Sequence, residues 1–160
     1  MQDTNRTASA DNVPLRLTSV AGKFAITDFF DNNTYSHDPR TQFMNWSLMN
    51  NGAWDYHADT RGYTIGFMRE FDIRQWSFRA PAVMEPTVAN GPVLDTRVGR
   101  NHGSVAEVER RFQRQGHPGA VRLLAYRNDA RSGEYAAALA AEGVPDITAA
   151  RRHAEIWLWN

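Results

Sequence analysis

Arg61-Gly62-Tyr63-Thr64-Ile65-Gly66-Phe67-Met68-Arg69-Glu70-Phe71-Asp72 and, after a short joint, Gln75-Trp76-Ser77-Phe78-Arg79-Ala80-Pro81-Ala82-Val83-Met84-Glu85 decide the fold. In the first stretch Tyr63, Ile65, Phe67 and Phe71 share one parity and Thr64, Gly66, Met68 and Glu70 the other, with Arg69 the intruder on the apolar side. In the second, Trp76, Phe78, Ala80, Ala82 and Met84 alternate with Ser77, Arg79, Pro81, Val83 and Glu85. Period 2 with two unlike faces is the signature of a β-strand. About four residues, Asp72 to Gln75, join the two, so they form a tight hairpin.

The same alternation recurs along the chain. Ser104 to Gln113 sets Ala106, Val108 and Phe112 against Glu107, Glu109 and Arg111, with Arg110 the exception; Ala120 to Asn128 sets Val121, Leu123 and Ala125 against Arg122, Leu124, Tyr126 and Asn128. Gly116-His117-Pro118-Gly119 reads as the turn between them. His153 to Trp159 is a further strand, and Val13 to Phe29 an earlier one, whose phase slip near Ser19 suggests a bulge. Pairing like faces places Phe71 opposite Trp76, Met68 opposite Arg79 and Glu70 opposite Ser77 in the first hairpin. In the second it places Arg111 near Leu124, Glu109 near Tyr126 and Glu107 near Asn128. Long joints, roughly 30–60, 86–103 and 129–152, alternate with the tight ones. Two short loop helices are expected: Arg40 to Met49, capped by Asp38 before Pro39, and Glu134 to Glu142, capped by Ser132 and stopped by Gly143.

Composition narrows the function classes. The 160 residues carry 18 basic and 18 acidic side chains, which gives no reason to expect a nucleic-acid partner. Cysteine is absent, so there is no disulfide framework, thiol nucleophile or thiolate metal site. No apolar run approaches the ~20 residues of a membrane-spanning helix. Residues 1–12 are polar, lack the apolar core of an export signal, and read as a disordered lead-in to one domain over 13–160. Of the basic residues only Lys23 is lysine. Arginine suits fixed planar hydrogen bonding, although codon bias alone yields the same composition.

Strands of about ten residues with one apolar face, joined alternately by tight turns and long loops, fit an antiparallel transmembrane β-barrel. Tyr63, Phe71, Trp76, Phe112, Trp157 and Trp159 near strand ends suit its interfacial girdles. A soluble antiparallel sheet with one buried face makes the same alternation. The opposite face tips the balance: Glu70, Arg79, Glu85, Glu107, Glu109, Arg111, Arg122 and Glu155 suit a water-filled lumen better than a second packed layer.

Ala21-Gly22-Lys23-Phe24, Thr27-Asp28-Phe29-Phe30-Asp31-Asn32-Asn33, Tyr35-Ser36-His37-Asp38-Pro39-Arg40-Thr41-Gln42-Phe43-Met44-Asn45-Trp46 and Asn51-Gly52-Ala53-Trp54-Asp55-Tyr56 resemble the carbohydrate-selective outer-membrane porins of the OprB type. So do Ala58 to Thr64, Glu85-Pro86, Ala89-Asn90-Gly91, Gly116 to Gly119 and Pro145 to Ala149, so that the resemblance spans roughly Val20 to Arg152. It implies a bacterial outer-membrane channel through which mono- or oligosaccharides diffuse passively, surrounded by outer-membrane lipid and open to homo-oligomerisation, with no cofactor. Such barrels need about 16 to 18 strands to leave an aqueous channel. About six are legible here, so the chain reads as an internal or truncated piece.

A sugar presents C–H faces to aromatic rings and a belt of hydroxyls to polar groups. Arg79, Glu107, Glu109, Arg111, Arg122 and Tyr126 on the wall, with Trp46 and Trp54 on the first long loop, are the expected pore-lining contacts. The competing reading of the wall residues is an ion-pair ladder that braces the sheet, and of the loop aromatics, packing against the rim. Enzyme readings lack partners: His37-Asp38, Asp55 to Asp59 and the Glu107/Glu109 pair form no metal-spaced, nucleophilic or phosphate-binding constellation, so no catalysis is expected. Asp28, Asp31 and Asn32 lack the spacing of a calcium loop. The alternative function is a soluble carbohydrate-binding sheet domain.

Overall fold

The computed structural model describes residues 15–33, 35–38, 40–42, 54–88, 91–147 and 149–159. Six strands, β1 (Arg16–Phe24), β2 (Thr64–Ile73), β3 (Trp76–Met84), β4 (His102–Arg114), β5 (His117–Gly133) and β6 (Arg151–Trp159), form one antiparallel sheet in sequence order. The sheet is open, with β1 and β6 at its edges, and is not closed into a barrel. The expected lead-in over 1–12 lies outside the described residues.

Each alternating stretch became a strand, but the pairings are tighter than the turn chemistry suggested. Only Arg74 and Gln75 separate β2 from β3, so Phe71 faces Phe78 and Glu70 faces Arg79, a two-residue shift from the expected register that keeps like faces together. In the second hairpin the two-residue turn is Gln115-Gly116, both at positive φ as a primed turn requires, and Glu109 meets Arg122 instead of Tyr126. His117, Pro118 and Gly119 therefore open β5 rather than make the turn. A Cβ on Gly119 would come within 2.7 Å of the Phe112 ring, so this glycine serves packing.

The bulge near Ser19 is absent: β1 pairs with β2 without interruption from Arg16↔Asp72 to Phe24↔Thr64. The apparent slip has another cause. Leu17 lies outward opposite Phe71, whereas Val20 and Phe24 lie inward against an apolar cluster, so both faces of β1 carry apolar residues without a register change. The strand ends at Phe24, and Ile26–Asp28 form a 3-10 turn where the sequence suggested further strand.

Among the described residues there is one α-helix, α1 (Tyr135–Ala140). Its N-cap is Glu134, because β5 runs through the expected cap Ser132 to Gly133, pairing with Arg152 and Arg151 of β6. Asp38 accepts from the Arg40 amide (2.8 Å) and the Thr41 hydroxyl (2.8 Å), as a cap does; the expected helix beyond it falls mostly outside the described residues.

The polarity of the sheet is inverted relative to a soluble half-buried one. On the outer face Phe78 is 42% and Val121 57% exposed, alongside exposed Tyr63, Ile65, Phe67, Phe71, Ile73, Trp76 and Leu123. On the inner face Glu70 and Glu107 are 1% exposed. Described parts of the segment joining β1 to β2 lie against that inner face. Its Ile26, Phe30 and Trp54 pack on Phe24, Met68, Val83, Val105, Leu124 and Tyr126 to form the apolar core. Full burial of each large side chain contributes about 1.5–3 kcal/mol.

Candidate functional site on the charged inner face

The inner face has two halves. Toward the loops it carries the apolar seat just described; toward the tight turns it carries charge. Strand alternation alone assembles the charged half, because inward positions of β1 to β5 offer Arg16, Glu70 and Asp72, Ser77 and Arg79, Glu107 and Glu109, and Arg122.

Arg79 is the hub. Its Nε donates to Glu70, and its Nη1 to Glu107 Oε1 at 2.6 Å and to Glu109 Oε2 at 3.2 Å. Glu109 also accepts from Arg122 Nε at 2.7 Å and from Arg111 Nη1 at 3.4 Å. The ladder continues through Asp72, which accepts from Arg16 Nη2 at 2.7 Å and from the Ser77 hydroxyl, with Arg111 Nη2 3.7 Å away. Arg16, Arg79, Arg111 and Arg122 thus balance Glu70, Asp72, Glu107 and Glu109. Burial of so many charges is tolerable because each is paired; removing one member strands the others in a poorly hydrated site.

Exposure divides the expected contacts. Arg79, Glu107 and Glu109 are buried, whereas Arg111 and Arg122 lie at the turn-side margin and retain contact with solvent. Tyr126 sits in the apolar cluster, away from the charged half. Trp54 is there too, edge-on to Phe30 (centroids 6.3 Å apart) and Tyr56 (5.9 Å). At 4% exposure its ring is enclosed by that packing. Trp46 lies outside the described residues.

No protein-family model, curated protein or solved structure matches this chain. What the site does is therefore to be read from its own residues. Among the described residues no three His, Asp or Glu side chains converge as metal ligands.

Several anchors of the inward loop escaped the sequence reading. The Asp31 amide donates to Glu107 Oε2 at 2.6 Å, which ties the loop directly to the ladder. Asn128 Nδ2 donates to the Asp55 carbonyl at 2.9 Å. His57 is 1% exposed, and its Nδ1 meets Glu85. Its ring lies against Gly103 of β4, where an added Cβ would fall 2.1 Å from Nδ1. The sequence reading left Gly103 in the joint before the strand, which in fact begins at His102, so the glycine gave no sign of this close approach. Asp59 accepts from the amides of Tyr63 (3.0 Å) and Arg61 (2.9 Å) and pairs with Lys23 Nζ at 3.1 Å. These bonds, the Tyr63 amide foremost, hold its carboxyl below the usual carboxylate range.

Proposed function

We propose that this chain forms six neighbouring wall strands of a carbohydrate-selective outer-membrane porin, with the β1–β2 loop folded inward as a constriction. The observation that carries this reading is the inverted polarity of the sheet: the outer face presents aromatic and aliphatic side chains while the inner face collects paired charges. Hydrocarbon outside and water inside reward that arrangement; a soluble sheet would be expected to bury the apolar face. Strands of 9 to 17 residues match or exceed the ~9–11 that a tilted crossing needs. Two-residue turns at one end and long loops at the other fit the two rims of such a barrel. The sugar specificity rests on the resemblance of the loop motifs to OprB-type porins and on planar arginine donors at the wall.

Within this reading the ladder has two tasks. Arg79, Glu70 and Glu107 are enclosed and mutually satisfied, so they brace the wall and hold the loop through Asp31. Arg111 and Arg122 border the open side and meet the hydroxyls of a passing sugar, weakly enough for release.

Reconstitution into liposomes tests the function. Isotonic arabinose and glucose should swell vesicles containing a full-length barrel that includes these six strands faster than amino acids of similar size. A protein that stays monodisperse without detergent, fails to enter the bilayer and passes no sugar would favour the soluble carbohydrate-binding sheet instead.

A further inference from the structure

The outer face is not uniformly apolar. At the turn end Trp76, Val108, Arg110, Phe112, Val121 and Leu123 line a shallow groove of about 350 Å³. Arg110 is the only charged residue in that lining. The ladder fixes it between Trp76 of β3 and Val121 of β5, and its guanidinium sits 5.5 Å from the centroid of the Trp76 ring. Among the described residues Arg110 makes no ion pair, and neither do Arg74 and Arg114 at the two adjacent hairpins. At the other end of the same face Asp129 faces both Arg127 (2.9 Å) and His102 (3.4 Å), while Arg131 makes no ion pair among the described residues. Three arginines without an acidic partner thus gather at the turn rim beside an apolar trough, whereas Arg69 and Arg131 lie apart elsewhere on the face.

We infer that this groove holds one anionic glycerophospholipid, its phosphate on Arg110 and one acyl chain along Val108, Val121 and Leu123. A guanidinium presents paired donors matched to phosphate oxygens, and its ring contact with Trp76 fixes its position at the level where headgroup meets hydrocarbon. The walls formed by Val108, Val121 and Leu123 suit a hydrocarbon chain and carry no side-chain donor or acceptor. Free phosphate would satisfy the arginine and leave the trough empty, whereas a lipid fills both. The site rests on the membrane reading above, which places the turn rim at a lipid headgroup layer.

Native mass spectrometry of the full chain in a non-ionic detergent, titrated with phosphatidylglycerol, tests the site. One lipid should be retained by the wild type, and Arg110→Gln should weaken retention about tenfold, the loss of one charge-assisted contact. Val121→Trp, which fills the trough and leaves the charge in place, should weaken it comparably. Arg69→Gln, which removes an outward arginine seated over Phe67 elsewhere on the face, should leave retention unchanged. Equal retention by wild type, Arg110→Gln and Val121→Trp overturns the site, as does inorganic phosphate competing at the lipid's own concentration. Flotation with phospholipid vesicles separates this failure from that of the membrane reading. Floating protein with unaltered lipid retention sinks the site alone, and a wild type that does not float sinks the membrane reading with it.

Discussion

Arg79 Nη1 donates to Glu107 Oε1 at 2.6 Å, and the other oxygen of that carboxylate accepts the Asp31 amide at 2.6 Å, so one side chain links the sheet's central arginine to the loop lying across it. The charged face therefore both braces the sheet and anchors the loop.

Arg79→Ala removes the common partner of three carboxylates that are nearly inaccessible to water. Loss of one member of a buried network costs about 3–5 kcal/mol. Urea unfolding of detergent-solubilised protein should show that loss, with Arg79→Lys intermediate because an ammonium cannot serve three acceptors in the same plane. Arg122→Ala, at the solvent margin, should cost less, about 1–3 kcal/mol, because the buried Glu109 loses one charge-assisted bond but keeps Arg79 and Arg111. In a full-length barrel the Arg122→Ala substitution should alter sugar flux across proteoliposomes.

Gly103→Ala places a methyl group in the His57 ring. Neither the strand backbone nor a buried imidazole has room to yield, so the loop should lift from its seat at a cost of about 1–3 kcal/mol. Limited proteolysis should then cut between β1 and β2 faster than in wild type. Gly99→Ala, which meets nothing within 4 Å, is the control.

Legibility in the sequence followed the strength of the physical constraint. Alternation at Tyr63 to Phe71 and Trp76 to Met84 exposed the strands and their two faces, because a period of 2 is fixed by backbone geometry. Which residues meet across a hairpin depends on turn length, and Gly116-His117-Pro118-Gly119 resembles a four-residue turn although the chain reverses at Gln115-Gly116. The ladder was visible as charge on one face, but the pairing of Glu70 with Arg79 and of Glu109 with Arg122 required the true register. The contacts of His57 with Glu85 and Gly103 span 28 and 46 residues, and no local pattern announces them. On β1 the inward Val20 and Phe24 answer to the loop's hydrophobic residues rather than to their own strand, which imitated a bulge.

Asp59 makes the base of the loop sensitive to acid. Its carboxyl titrates below the usual 3.8 because the Tyr63 and Arg61 amides and Lys23 favour the charged form. A depressed carboxylate contributes stability that is present above its unfolded pKa of about 4 and lost as pH falls through the lower folded value. Protection of the Arg61 and Tyr63 amides from hydrogen exchange, corrected for intrinsic rates, should therefore hold from neutral pH to about 4 and fall below it. Asp59→Asn should show weaker protection at neutral pH and little further change on acidification.

Because the chain has no cysteine, single labels can be placed without a background. The most direct test of the account is nitroxide accessibility in lipid vesicles at Ile65→Cys, Phe78→Cys and Val121→Cys, compared with a loop label at Val144→Cys. Hydrocarbon outside the sheet predicts high collision rates with oxygen and low rates with a water-soluble nickel chelate at the three outer positions, and the reverse at Val144. Ready access of the chelate to positions 65, 78 and 121 would contradict the account.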